Sequence, residues 1–146
     1  MLQEDFILRL IREFIQALGI LISRMKGKDD PDIEVQFNSF YKRYFDREGD
    51  YFKEMPVEDM VKYINDNYPE QHRVPRVEML ADLLYSEGSL MSMSSISTKR
   101  KLWEKASYLY DYIEENDSTY SLPRMRKQEE IKKCREAENL LIIIVQ

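Results

Sequence analysis

The sequence predicts an all-α fold of about six helices arranged in antiparallel pairs. Apolar residues recur at spacings of three and four along most of the chain, which is typical of helices that bury one face. Only four glycines and five prolines occur among 146 residues, and so few turn-forming residues favour long helices joined by short loops. With 43% hydrophobic and 34% charged residues, the chain is expected to fold as a single helical domain over 1–146.

Composition and charge also indicate which partners and which cell compartment the protein is suited to. A net charge of −5 makes nucleic acid an unfavourable partner, because phosphate binding needs clustered positive charge. Cys134 is the single cysteine, which excludes an internal disulfide and suits a reducing cytoplasm. The longest nearly apolar run, 14–22, is far shorter than the roughly 20 residues that a membrane-spanning helix needs. We therefore expect a cytoplasmic protein without a membrane span.

The first helix is predicted over about 3–26, within a long apolar N-terminal segment at 1–27, and Gly27 is expected to end it. Its apolar side chains cover most of the helix circumference, which is typical of a helix buried on several sides. Several of them follow a spacing near 3.5 residues and predict a seam for a second helix: Ile7, Ile11, Phe14, Leu18 and Leu21. That second helix can belong to this chain or to another copy, so internal burial and self-association are both open.

Two middle helices are predicted within 31–70. Asp30 and Pro31 form a helix-start pattern, since aspartate accepts from free backbone N–H groups and proline fits the first turn. The next helix begins near Pro56, and the prolines in the stretch 65–75 predict a break there. The side chains expected to point inward from these helices are Ile33, Phe37, Phe40, Tyr41, Tyr44, Val57, Met60, Val61 and Ile64.

The C-terminal part, 75–146, is predicted to hold a fourth helix over 75–87, a fifth over about 98–115 and a sixth that opens at Pro123. The inward stripe expected on the sixth helix is Ile131, Cys134, Ala137 and Leu141. The chain then reaches the aliphatic run 140–145, which either continues this helix or docks as an extended plug. Because an exposed aliphatic segment invites aggregation, we expect something to cover it.

The fourth and fifth helices carry a repeat-like pattern of apolar, small and aromatic residues. Its members are Val77, Leu80, Ala81, Leu84 and Gly88, followed by Ala106, Tyr110 and Ile113. The pattern resembles one tetratricopeptide repeat over about 77–118, in which small residues let two antiparallel helices approach closely. The Ser- and Met-rich stretch 89–97 is interpreted as an enlarged turn inside this repeat, and Ser118 stands where such repeats often have proline. Two ordinary antiparallel helices are the alternative.

The order of segments along the whole chain also resembles an uncharacterised bacterial family with a tetratricopeptide-like C-terminal half. The segments that carry this likeness are MLQEDFILRLIREF, LADLLYSEG and WEKASYLYDYIEEND. The resemblance implies a bacterial cytoplasmic protein and supplies no site residues.

Candidate chemical groups in the sequence are few. His72, the only histidine, is interpreted as a solvated loop residue, and one histidine cannot build a zinc site alone. Cys134 is interpreted as a packed thiol, although its basic neighbours would favour a thiolate. Basic clusters at 99–101 and 124–127 are followed closely by acids, so surface solubility is favoured over nucleic-acid binding. An enzyme that uses Cys134 or His72 is the least favoured hypothesis.

The function favoured by the sequence is non-enzymatic binding of a protein or peptide, because helix-pair repeats present a groove whose side chains vary without disturbing the packing. Amphipathic tyrosine and adaptable methionine are common on such surfaces. The candidates for contact with a partner are Tyr108, Tyr112, Met91 and Met93. The alternative is a structural homo-oligomer, such as a homodimer, that associates through the N-terminal helix. No cofactor and no metal are expected.

Overall fold

A computed structural model of the chain describes residues 2–28, 31–91, 95–117 and 119–145. Within these ranges the protein consists of seven helices and contains no strand, so the predicted all-α class is confirmed. The helices are α1 (Leu2–Met25), α2 (Ile33–Phe45), α3 (Gly49–Glu54), α4 (Val57–Asn67), α5 (Glu70–Ser89), α6 (Ile96–Asn116) and α7 (Leu122–Val145). Among the described residues, none of these helices combines the length and hydropathy needed to cross a bilayer.

The central helix of the fold is α5, which packs against α1, α2, α4 and α6. Its partner α6 runs antiparallel to it. Gly88 near the end of α5 approaches Trp103 in the first half of α6, whereas Asp82 earlier in α5 accepts a hydrogen bond from Tyr110 later in α6. Edge-on aromatic contacts join α1 to α2, and α7 lies against α6.

One hydrophobic core connects all seven helices of the described chain. Ala81 and Ala106, the small residues of the predicted pair, are both fully buried in it. The inward side chains predicted for the middle helices are buried, except that Phe40 and Val57 are half-buried. Burial of these side chains is the main source of folding free energy, so the predicted inward faces correspond to the core.

The predicted end of the first helix is confirmed. Its last residue is Met25, and Gly27 adopts a φ of +77°, the left-handed conformation that glycine reaches without a steric penalty. The predicted start of the next helix is shifted along the chain. Asp30 lies outside the described residues, Pro31 precedes the helix, and Asp32 occupies the N-cap position of α2.

The break predicted across 65–75 is wrong in its extent. Only the residues around Pro69 are non-helical, and α5 continues through Pro75. Proline removes one backbone donor and disfavours the helix, but His72 and Arg76 on either side of it are buried. The free energy gained by burying this stretch therefore outweighs the cost of a proline inside the helix.

The sequence does not predict α3. Its Phe52 is fully buried and contacts the rings of Tyr41 and Phe45, with centroids 6.0 Å and 5.7 Å away. A helix of six residues is too short to show a period in the sequence. Tertiary contacts, among them the packing of Phe52 into the core, therefore support this element.

The turn between α5 and α6 is shorter than predicted. Because α5 continues to Ser89 and α6 begins at Ile96, residues 90–95 connect them rather than 89–97. Ser89 Oγ donates to the backbone carbonyl of Tyr85, 2.8 Å away, so the serine hydroxyl is satisfied within the helix. Met93, in the stretch 92–94, lies outside the described residues.

The residues 140–145 continue α7 as a helix, which is one of the two predicted alternatives. The inward stripe predicted for α7 is correct only in its first half. Ile131 is buried and Cys134 is half-buried, whereas Ala137 and Leu141 are exposed. The helix is longer than the surface it packs on, so its last turns leave the body of the protein.

The aliphatic end of α7 (residues 140–145) is uncovered. Its six side chains have exposed fractions between 52% and 82%. Just before this segment, Glu138 pairs with Arg100 near the start of α6, at 3.6 Å. We expect from the sequence that something covers this segment, but the described part of the chain does not.

Candidate functional site

A cleft of about 310 Å³ lies between α1 and α5 and is bordered by the end of α6. Its lining is mainly apolar, with three acids and one asparagine: Ile11, Phe14, Ile15, Val74, Pro75, Met79, Glu78, Asp82, Asn116 and Asp117. We call this feature the α1–α5 cleft. Its volume lies at the lower end of the range typical of ligand pockets, and its apolar lining is typical of them too.

Each wall of the α1–α5 cleft has a buried base and an accessible rim. On α1, Phe14 is buried against the edge of Tyr44, with ring centroids 5.0 Å apart, whereas Ile15 beside it is 61% exposed. On α5, Met79 is buried and the half-buried ring of Pro75 lies in the lining. The base is held in place by the core, so the cleft presents a preformed apolar surface.

The acids in the lining already have partners within the chain. Glu78 pairs with Arg124 at 2.7 Å. Asp82 accepts hydrogen bonds from Tyr110 at 2.5 Å and from Lys127 at 2.9 Å. The remaining acid, Asp117, accepts from the backbone N–H of Thr119 at 3.1 Å. Glu78 and Asp82 are thus ion-paired within the chain, and because most of the lining is apolar, the cleft favours an aliphatic occupant.

Arg124 connects three parts of the structure beside the cleft. It is buried, it pairs with Glu78 and Glu114, and it donates to the backbone carbonyl of Thr119 at 2.8 Å. Burial acts to lower the pKa of Arg124, but the two carboxylates outweigh burial and the pKa is raised. The guanidinium therefore stays charged and fixes the start of α7 to α5 and α6.

A second polar cluster is buried on the other side of α5. Glu87 is fully buried, accepts a hydrogen bond from Tyr41 Oη at 3.0 Å, and pairs with Lys53 of α3. Burial raises the pKa of Glu87, while Lys53 and Tyr41 oppose this shift. Lys105 of α6 donates to the backbone carbonyls of Lys53 and Met55 at 2.5 Å and 2.7 Å. These hydrogen bonds and the ion pair join α3 to α2, α5 and α6, so the cluster fixes α3 in place.

The described members of the predicted partner-binding set, Tyr108, Tyr112 and Met91, do not form one site. Tyr108 is 38% exposed, and Tyr112 lies one helical turn further along α6 and is half-buried. Met91 follows α5 and packs partly against the core. Met91 precedes the start of α6 along the chain, and that start is about 18 Å of helix rise from Tyr108. The α1–α5 cleft contains none of these residues.

The predicted self-association seam lies inside the chain. Ile7, Phe14, Leu18 and Leu21 are buried, and Ile11 is half-buried in the wall of the cleft. These side chains are covered because α1 packs against α2 and α5 of the same molecule. The second helix of the seam is therefore internal, while Ile11 and Phe14 also line the α1–α5 cleft.

The interpretation of His72 as a solvated loop residue is wrong. The side chain is buried and stacks on Phe6, with ring centroids 5.9 Å apart. It lies inside α5, because this helix starts at Glu70. Arg76, one turn further on, is buried on the same side of the helix.

Cys134 is half-buried, and it lies close to Trp103 and Ile131. It packs against the hydrophobic core, as the interpretation of a structural thiol implies. In the described part of the chain, no three or more His, Cys, Asp or Glu side chains are grouped as a metal site would require.

The sequence does not predict the burial of two charged side chains, Arg124 and Glu87, that fix neighbouring helices in place. Arg124 belongs to a basic cluster interpreted as surface, and its partners Glu78 and Glu114 come from two other helices. Glu87 carries a signal that could have been used, because it falls on the inward side of α5 between Leu84 and Gly88. A carboxylate at such a position predicts a buried ion pair.

The fold and its surfaces define an all-helical protein with an antiparallel α5–α6 pair, a surface cleft and an uncovered aliphatic helix end. The chain matches no protein-family model, and neither a curated protein nor a solved structure is detectably similar to it.

Proposed function

We propose that this chain is a non-enzymatic helical protein that binds an apolar segment of a protein partner in the α1–α5 cleft. The observation that carries the proposal is the cleft itself: an apolar lining that the core holds in place, with Ile15 exposed at its rim. Binding clefts are typically preformed and apolar, with a few polar groups that orient the ligand.

The partner is an uncharged aliphatic segment. Glu78, Asp82 and Asp117 are each engaged within the chain, so an apolar occupant leaves none of these carboxylates without a partner. Asn116 is the uncharged polar residue of the lining; its amide nitrogen donates to the Tyr112 carbonyl at 2.8 Å, and its amide oxygen can accept from a backbone N–H of the partner.

We also propose that α5 and α6 are one tetratricopeptide-like helix pair that supports the cleft. The fully buried Ala81 and Ala106, and the close approach of Gly88 to Trp103, agree with the small-residue packing of such repeats. In this interpretation α1 takes the place that a neighbouring repeat would occupy against α5. A bacterial cytoplasmic location belongs to the same proposal, with the lone Cys134 suited to a reducing compartment.

A displayed library of random peptides tests the binding role. We expect selection on the wild-type chain to enrich aliphatic, uncharged peptides whose binding falls at least about tenfold with Ile15→Asp, because an unpaired carboxylate would sit at the rim. Ile20→Asp is the matched control, since Ile20 is 56% exposed on α1 and does not line the cleft. No enrichment, or binders equally weakened by both substitutions, would contradict the proposal.

A further inference from the structure

The molecule carries two apolar features with matching chemistry and no partner within the described chain. One is the α1–α5 cleft, whose lining is mainly apolar and in which Glu78 and Asp82 are ion-paired within the chain. The other is the aliphatic end of α7, which contains no charged residue. An uncharged aliphatic helix end is the kind of occupant that this cleft favours.

The aliphatic end of α7 cannot enter the cleft of its own molecule. The start of α7 lies beside the cleft, where Arg124 pairs with Glu78, and the helix then runs away from it towards the pair between Arg100 and Glu138. From Arg124 to Leu141 a continuous helix rises about 25 Å. The cleft and the aliphatic end are therefore at opposite ends of α7.

This separation has a consequence for symmetry. An antiparallel pair of copies would place the aliphatic end of each copy at the cleft end of the other, so that two equivalent contacts join the pair. Such an arrangement is closed and two-fold, so it stops at a dimer and does not propagate into a fibre.

We propose that the α1–α5 cleft of one copy receives the aliphatic end of α7 from a second copy, and that two copies exchange these segments reciprocally. The inference rests on the binding role proposed for the cleft and names its partner. Covering this helix end also removes the exposed aliphatic surface that would otherwise favour aggregation.

Sedimentation velocity of the full chain over a roughly 100-fold range of concentration tests the exchange. We expect a concentration-dependent dimer that Ile15→Asp in the cleft and Ile143→Asp in the aliphatic end each weaken at least about tenfold. Both positions are largely exposed, at 61% and 69%, so the variants are expected to keep their fold. Ile20→Asp and Val35→Asp, at 56% and 68% exposed outside both features, are the matched controls and should dimerise like the wild type.

Mixing the two disrupted variants distinguishes reciprocal exchange from other dimers. The Ile15→Asp chain keeps an intact aliphatic end, and the Ile143→Asp chain keeps an intact cleft. An equimolar mixture should therefore form a heterodimer with one of the two contacts restored, and this heterodimer should be tighter than the homodimer of either variant. A dimer built by two aliphatic ends packing on each other would not respond to Ile15→Asp and would not be rescued by mixing.

Several outcomes would overturn the exchange. A wild-type chain that stays monomeric, a dimer indifferent to Ile15→Asp, or a mixture without heterodimer would each do so. A monomer whose aliphatic end instead binds phosphatidylcholine vesicles, with binding lost in Ile143→Asp, would also overturn it. A monomeric chain that still selects cleft-binding peptides would separate the two proposals, because the binding role would stand while the second copy as partner would not.

Discussion

Gly88 lies where α5 and α6 approach closely. A Cβ atom at this position would lie 2.7 Å from Trp103 Cδ1 and 2.9 Å from Nε1. The indole cannot withdraw easily, because it stacks on Tyr85 and donates to the Tyr85 carbonyl at 3.0 Å. We expect Gly88→Ala to lower the free energy of unfolding by about 1–3 kcal/mol, since overpacking outweighs the gain in helix propensity. Urea unfolding with an unchanged m-value would measure this loss.

Gly19 provides the matched control for that substitution. It also lies inside a helix, but nothing approaches the position of its missing Cβ within 4 Å. Gly19→Ala should raise the free energy of unfolding by about 0.5–1 kcal/mol through helix propensity alone. Equal effects at the two glycines would show that the contact with Trp103 does not limit the α5–α6 packing.

Glu87 predicts a pH dependence of stability. Its pKa in the folded chain is raised from the ordinary value of 4.5, mainly by burial, so the folded state holds this proton more tightly than the unfolded state does. As pH rises from about 4.5 towards the raised pKa of the folded chain, the unfolded chain releases the proton first. The unfolded state is then stabilised relative to the folded state. The free energy of unfolding of the wild type should therefore fall relative to that of Glu87→Gln over this range.

Thermal or urea unfolding of both chains at a series of pH values would measure the difference. The glutamine keeps the size of the side chain and an acceptor for Tyr41 but cannot titrate. A wild type that gains stability relative to Glu87→Gln as pH rises would mean that Lys53 outweighs burial and that the pKa is lowered instead.

At the scale of elements, α5 starts at Glu70 and not at Pro75, where the sequence predicts its start. The free energy gained by burying His72 and Arg76 outweighs the cost of a proline inside the helix. Pro75 removes a donor from the helix interior, so Pro75→Ala should raise the free energy of unfolding by about 1–2 kcal/mol, after allowing for the greater freedom of the unfolded chain. Chemical denaturation would measure the gain. Pro69→Ala is the control, because Pro69 occupies the N-cap position and no gain is expected there. A loss of stability in Pro75→Ala would instead assign a packing role to its ring.

The lengths of elements are the part of the fold that periodicity predicts least well. The inward faces of α2, α4, α5 and α6 follow from apolar spacing, because each face is a local pattern. The start of α5 and the existence of α3 depend on which other helix covers His72 and Phe52. Such contacts join residues far apart in the chain, so no local window contains them.

At the scale of the whole molecule, the aliphatic end of α7 lies outside the hydrophobic core of the described chain, and we propose that it serves association. Removing residues 140–146 should leave the fold intact, because the side chains of 140–145 are exposed and outside the hydrophobic core of the described chain. The melting temperature of the full chain should rise with concentration, by on the order of 5 °C for a 100-fold increase above the dissociation constant. That of the shortened chain should not change. Differential scanning calorimetry of both chains would measure this difference.

A shortened chain that melts at a lower temperature even in dilute solution would contradict this assignment. It would mean that residues 140–145 stabilise the monomer itself. Circular dichroism of both chains should differ only by the helical signal of the removed turns.

By itself the sequence determined that this protein is helical and which faces of most helices are buried, because both follow from residue spacing within one element. It also placed Gly27 at the end of α1, since a left-handed conformation is a local property. Only the tertiary structure decided that the seam of α1 is internal, that Glu87 and Arg124 are buried, and that Ile15 and Pro75 line one cleft. These features depend on how distant helices pack, and the same local patterns are compatible with several packings.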